Sequence, residues 1–319
     1  MTDHPQPFRH DLRLPTIRFA AWRWSPPAGA PSLGRQLVIL HGVTAGALGF
    51  AEVARDLAED GWTVDALDLP GHGATRWLGA DAEPLANQES VGPGAYELGR
   101  VGALVAAAIR ALPPAVPATV RPAEAPPGTS AGAPVVLGHS WGAGVAVMAI
   151  DADAPVDRLV LLDPPFVTPE QGEEMAEGFR AQLADGLRWE RAEVAQARAV
   201  VAAADPGLPD DELEARVREL TARSPGAADA IARGVPMDPI GMMVSWRSRH
   251  PDLPVDVIAG DPDAGGLVPT HIQALLRMAL GPDRVHVLEG LGHSPQHEDV
   301  RRLLDVLRAV LRSETPQPT

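Results

Sequence analysis

The sequence predicts an α/β fold built on a mostly parallel sheet, and three observations carry that expectation. Short β-branched or Leu-rich runs alternate with longer Ala/Leu-rich helical stretches along most of the chain. Several of the short runs are apolar almost throughout, as strands covered on both faces must be. The final helical stretch carries one apolar stripe, the pattern of a helix laid on a sheet.

In chain order, strands are expected at Thr16–Trp24, Gln36–Leu40, Thr63–Leu67, Pro134–Leu137, Arg158–Leu162, Val255–Ala259 and Val285–Leu288. Helices are expected at Phe50–Asp60, Ala95–Ala111, Trp141–Asp151, Pro269–Leu280 and Val300–Leu311. The stripe of the last is Leu303, Leu304, Leu307, Val310 and Leu311. Two segments break the alternation. Pro113–Gly132 is rich in Pro and Ala and reads as a surface loop. Phe166 to Trp246 has no convincing strand and reads as short helices broken at Pro206, Pro209, Pro225, Pro236 and Pro239. A helical block between two strands of a parallel sheet is expected to be an inserted cap, spanning 166–246, over a core of 1–165 and 247–319. The 319 residues suffice for one such domain.

Composition narrows the chemistry. Hydrophobic residues make up 45% and charged residues 22%, a globular balance. The formal net charge of -15 opposes nucleic-acid phosphate and anionic lipid, so neither is an expected partner. All 27 basic residues are Arg, which removes Schiff-base lysines, P-loop lysines and Ser-Lys dyads. Cysteine is absent too, so there are no thiol nucleophiles and no Cys-ligated metals. Met1–Arg13 is polar and does not read as a signal peptide, and no stretch is apolar enough to span a bilayer. A cytoplasmic location is the expectation.

The strongest motif is Gly138-His139-Ser140-Trp141-Gly142, directly after the expected strand and before an expected helix. A serine in the frame G-x-S-x-G at a strand-to-helix turn is the pattern of an exposed, strained nucleophile. Side chains two positions either side would strike the neighbouring strand and helix, which explains the glycines. A bare G-x-S-x-G also occurs in ordinary turns; the flanking elements separate the two readings.

A serine hydroxyl needs a base, and the base needs an orienting acid. His293, in Gly290-Leu291-Gly292-His293, follows the last strand and is the candidate base. His297 lies four residues on, but an H-x-x-x-H metal pair lacks a third ligand, so no metal is expected. For the acid, the frame Gly260-Asp261-Pro262-Asp263 with Leu267-Val268-Pro269 following favours Asp263. Asp261 then caps the turn. Asp163, at the end of Arg158–Leu162, competes with both. Two backbone N–H groups are needed for the oxyanion: Trp141, after the nucleophile, and Val43, in the Leu40-His41-Gly42-Val43 loop. His41 itself is expected to brace that loop.

These pieces, with Asp68-Leu69-Pro70-Gly71-His72-Gly73, stand in the order and spacing of the α/β-hydrolase superfamily, which the chain resembles over all but the cap and the Pro113–Gly132 loop. The resemblance implies an eight-stranded, mostly parallel sheet, a structural role for the Pro70–Gly73 turn and no organic cofactor. Haloalkane dehalogenases and epoxide hydrolases of similar outline carry Asp at the elbow; Ser140 here disfavours both chemistries. Trp141 is shared with those enzymes and with proline iminopeptidases, whose acidic cap site has Glu170, Glu173, Glu174 and Glu177 as candidates here, although a solvated helix face is the favoured reading of them.

The expected substrate is a small, largely apolar ester or lactone, cleaved through an acyl-enzyme. Amide, carbamate or C–C cleavage on the same triad, and a ligand-binding or signalling role on the same fold, are the alternatives. Phe166, Trp189, Met242 and Trp246 are the candidate substrate-binding residues, although cap helices must also bury apolar residues on the core.

Overall fold

A computed structural model of the chain describes residues 4–28, 30, 32–115, 132–166, 188–224 and 246–312. Eight strands form one path across a sheet in the order β1 (Phe8–Arg13), β2 (Ile17–Trp24), β4 (Thr63–Leu67), β3 (Gln36–Leu40), β6 (Val135–His139), β7 (Arg158–Leu162), β8 (Val255–Gly260) and β9 (Val285–Leu288). A two-residue strand, β5 (Arg76–Trp77), pairs with β2 off this path. The β1–β2 and β2–β4 pairings are antiparallel; every pairing from β4 through β3 to β9 is parallel.

The residues explain the arrangement. Strands β3, β4, β6, β7 and β8 are buried at every position, because helices cover both faces. Buried residues of helices α2 (Leu98–Ala111), α3 (Trp141–Asp151) and α6 (Thr270–Leu280) join one apolar cluster. Those of α1 (Ala51–Glu59) and α7 (Val300–Arg312) join the other. The predicted α7 stripe, Leu303, Leu304, Leu307, Val310 and Leu311, is buried throughout.

Strand β1 has no counterpart in the sequence expectation. It is an edge strand of Phe-Arg-His-Asp-Leu-Arg, mostly outside the core, so the apolar run that announces a buried strand is missing. Helix α2 starts at Leu98 rather than Ala95, since Pro93–Tyr96 forms a separate 3-10 turn.

Between β7 and β8 the described residues include two helices, α4 (Arg188–Ala204) and α5 (Asp210–Leu220), a further helical stretch at 246–249, and no ladder strand. Ala197 and Val201 of α4 and Leu213, Val217 and Leu220 of α5 share the apolar cluster of α1. The segment after α5 docks on the Pro70–Gly73 turn: Gly73 N–H donates to the Ala222 carbonyl at 2.8 Å and Ser224 N–H to the Gly71 carbonyl at 2.8 Å. Arg223 pairs with Glu193 of α4, both nearly buried. The Pro113–Gly132 loop lies largely, and the 166–246 block in part, outside the described residues.

Because β3, β6, β7, β8 and β9 are parallel, their carboxyl ends share one edge. The segments that follow carry His41-Gly42-Val43, Ser140, Asp163, Asp261 and His293.

Candidate active site

Ser140 sits between the end of β6 and the first turn of α3, with φ 55° and ψ -124°. A non-glycine residue at positive φ is strained and persists only where its surroundings dictate it. Its N–H donates to the Leu162 carbonyl of β7 at 3.0 Å. A Cβ at Gly142 would lie 2.5 Å from the His41 carbonyl oxygen and closer still to that of Leu40; one at Gly138 would lie 2.6 Å from the Ala143 Cα. Only glycine lets strand, elbow and helix approach this closely.

The Ser140 hydroxyl donates to His293 Nε2 at 2.9 Å, and His293 Nδ1–H donates to Asp163 Oδ2 at 2.6 Å. Asp163 has no exposed surface. Its Oδ1 accepts the Gly260 N–H at 2.9 Å and its Oδ2 also accepts the Leu267 N–H at 2.9 Å. Such a buried carboxylate is satisfied on both oxygens and fixes one imidazole tautomer.

This arrangement corrects the expected acid. Asp263 stands in the exposed 3-10 turn Pro262–Ala264, where its N–H donates to Asp261 Oδ1 at 2.9 Å. It makes no bond to His293. Asp261 also accepts the Gly290 N–H at 2.7 Å; that bond and the Asp263 N–H hold its carboxyl below the usual range. It therefore ties the turn after β8 to the turn after β9. The physical reason for the change of acid is sheet order: β7 lies between β6 and β8, so its end is one strand nearer Ser140. The signal in the sequence was an aspartate directly following the apolar run Leu159-Val160-Leu161-Leu162.

Trp141 directly follows Ser140 in the chain, and Val43 follows Gly42 in the segment after β3. A Cβ at Gly42 would lie 3.0 Å from the Ser140 Cβ, so the backbone at Gly42 runs directly against Ser140. Trp141 opens α3, where the first N–H groups have no intrahelical acceptor. Two histidines hold the loop. His41 Nδ1–H donates to the Gly42 carbonyl at 2.8 Å while its Nε2 accepts the Leu69 N–H at 2.9 Å. His72 Nε2–H donates to the Val43 carbonyl at 2.7 Å. Burial pushes His41 well below its ordinary pKa and His72 down to about 4, so both are neutral braces.

Of the candidate substrate-binding residues, Phe166 and Trp246 are buried in the apolar cluster that also contains Val43 and Trp141. Trp189 belongs to the first turn of α4, and Met242 lies outside the described residues. Two groups around His293 escaped the sequence reading. Glu298 accepts the Gly292 N–H at 2.6 Å and the Ser294 N–H at 3.2 Å, and His139 Nε2–H donates to the His293 carbonyl at 2.8 Å. A serine followed by an acid within one turn was the available signal for Glu298. Among the described residues, no cluster of His and carboxylates suits a metal ion, and no helix is long and apolar enough to cross a membrane.

A family model described as the alpha/beta hydrolase family matches residues 37–306. A search of curated protein sequences finds no match. Among solved structures, the chain is similar to E-2-(acetamidomethylene)succinate hydrolase, with TM-score 0.62 and 19% identity over 96% of this chain and 100% of that one. It is similar to an N-acyl homoserine lactonase complexed with N-hexanoyl homoserine, with TM-score 0.59 and 18% identity over 98% and 99% of the two chains. A Bacillus megaterium epoxide hydrolase matches with TM-score 0.59 and 16% identity over 95% and 100%. At these identities the likeness is one of fold.

Proposed function

Since the chain belongs to the alpha/beta hydrolase family, we propose that it is a serine hydrolase of small, largely apolar carboxylic esters or lactones, with Ser140 as nucleophile. The observation that carries this reading is the unbroken pair of hydrogen bonds from Ser140 through His293 to Asp163.

In the first step Ser140 Oγ attacks the acyl carbon while His293 Nε2 takes its proton; Asp163 holds the imidazole and stabilises the imidazolium. The Val43 and Trp141 N–H groups take the negative charge that develops on the carbonyl oxygen. His293 then gives its proton to the leaving alkoxide, which in a lactone stays tethered to the acyl group. Water, deprotonated by the same imidazole, attacks the acyl-serine and frees the acid. Neither a metal nor an organic cofactor enters these steps. Phe166 and Trp246, buried in the apolar cluster that also holds Val43 and Trp141, supply an apolar wall. The helical block of 166–246 serves as the cap, and Trp189 and Met242 are its candidate substrate-binding residues.

The test is turnover of p-nitrophenyl acetate and butyrate, and of γ- and δ-lactones by pH-stat, with wild type and Ser140→Ala. Wild-type turnover well above buffer, lost by about 10³-fold or more in the variant, is expected. Equal rates for both proteins would refute the hydrolase reading and favour a ligand-binding role.

A further inference from the structure

His139, the residue before the nucleophile, takes no part in the steps above, yet its surroundings are unusually specific. Its side chain is 3% exposed. The Nε2–H donates to the main-chain carbonyl of His293 at 2.8 Å, and the two ring centroids lie 4.9 Å apart with the planes tilted by 34°. On the opposite side its Nδ1 would lie 3.2 Å from a Cβ at Gly42, and the Phe50 ring meets it edge-on at 5.8 Å. One imidazole thus touches the elbow, the oxyanion loop and the base.

The base loop needs such a hold. Gly290-Leu291-Gly292 leads into His293 from β9; Asp261 anchors its start by accepting the Gly290 N–H at 2.7 Å and donating its own N–H to the Leu291 carbonyl at 2.7 Å, which leaves the stretch beyond Leu291 to other partners. Glu298 fixes the amides of Gly292 and Ser294 from the C-terminal side. The carbonyl of His293 itself is fixed by His139 alone among the described residues. Nδ1 has no hydrogen-bond partner, so the ring has one donor to give and gives it to the base loop. Burial, followed by the neighbouring His293 ring, keeps His139 uncharged. An uncharged ring does not repel the imidazolium that His293 becomes.

We propose that His139 is a positioning residue for the reaction: its Nε2–H bond to the His293 carbonyl ties the base loop to the nucleophile elbow and sets the Ser140–His293 distance. The inference rests on the Ser140–His293 reading. It says that the elbow carries its own clamp for a base that arrives from a strand three positions across the sheet.

Three variants test it: His139→Leu and His139→Met, which remove the donor with different shapes, and His139→Gln, whose amide N–H reaches a similar position. The readouts are kcat and KM for a p-nitrophenyl ester, the rate of fluorophosphonate labelling, and thermal melting to identify a variant that fails to fold. The expected result is a 10–100-fold loss of kcat and labelling rate in the folded apolar variants, with KM within about twofold, and recovery of most of the rate in His139→Gln. Apolar variants within twofold of wild type, or a Gln variant as slow as the folded apolar ones, would overturn the clamp while leaving the triad intact. Wild-type protein that labels no faster than Ser140→Ala would overturn the triad reading, and the clamp with it.

Discussion

An imidazole can take a proton from a serine only if its other nitrogen keeps its own, and a carboxylate facing that nitrogen decides the matter. Asp163 meets the requirement with three hydrogen bonds to its two oxygens and no exposed surface. Both partners of the bond are held from behind: Asp163 by the Gly260 and Leu267 amides, His293 by His139 at its carbonyl and by Glu298 at the amides of its neighbours Gly292 and Ser294. Asp263, exposed in its turn, has neither the position nor the burial for that work. Replacing an acid of this kind by its amide leaves the geometry but inverts the tautomer preference, which costs about 10⁴ in kcat in a serine protease. The two aspartates therefore make a matched pair of substitutions with opposite expectations.

At the scale of elements, the elbow is where sequence and packing are most tightly linked. A Cβ at Gly142 meets two backbone carbonyl oxygens of the β3 end, which cannot rotate away as a side chain would. Gly142→Ala is expected to lower unfolding free energy by about 2–4 kcal/mol, by forced displacement of α3 from the sheet. Urea titration checks it; an unchanged midpoint would mean that α3 is not seated where its contacts imply. The same linkage explains what was legible beforehand. Strands β3, β4, β6, β7, β8 and β9 carry the core and read as apolar runs, and the elbow reads as glycine at fixed spacing. Strand β1 does not, since its residues face solvent or pair at an edge. The sequence favours Asp263, whereas the carboxylate that meets His293 is Asp163. Both follow buried strands, and which carboxylate meets His293 depends on the lateral order of β7 and β8, a property of the sheet rather than of any local motif. His139 and Glu298 went unnoticed for the same reason: their partners come from across the fold or through backbone amides, which leave no composition signal.

The whole molecule has a property that none of its elements shows alone. His41, His72, His139 and His297 are all held below the ordinary imidazole pKa, with burial the first cause in each, and for His72 and His297 the value is about 4. In the unfolded chain each returns to about 6.5. Between these values the unfolded state binds more protons, so folding stability is fully present above about pH 6.5 and is lost as pH falls toward 4. His72 alone accounts for about 2–3 kcal/mol of loss by pH 4.5, from about 1.4 kcal/mol per unit. Unfolding free energies from urea at pH 7 and pH 4.5 are expected to differ by at least that amount. Equal values would mean that these histidines are not buried neutral in solution. The consequence for the site is that acid weakens the segment after β3 through its His41 and His72 braces.

The most direct test of the central claim is the rate of adduct formation with a fluorophosphonate probe, followed by intact-mass spectrometry on wild type, Ser140→Ala, Asp163→Asn and Asp263→Asn. The expected result is one adduct on wild type, none on Ser140→Ala, labelling slowed at least about 100-fold in Asp163→Asn, and Asp263→Asn within twofold of wild type. Slow labelling of Asp263→Asn beside wild-type labelling of Asp163→Asn, or no adduct on folded wild type, would contradict it.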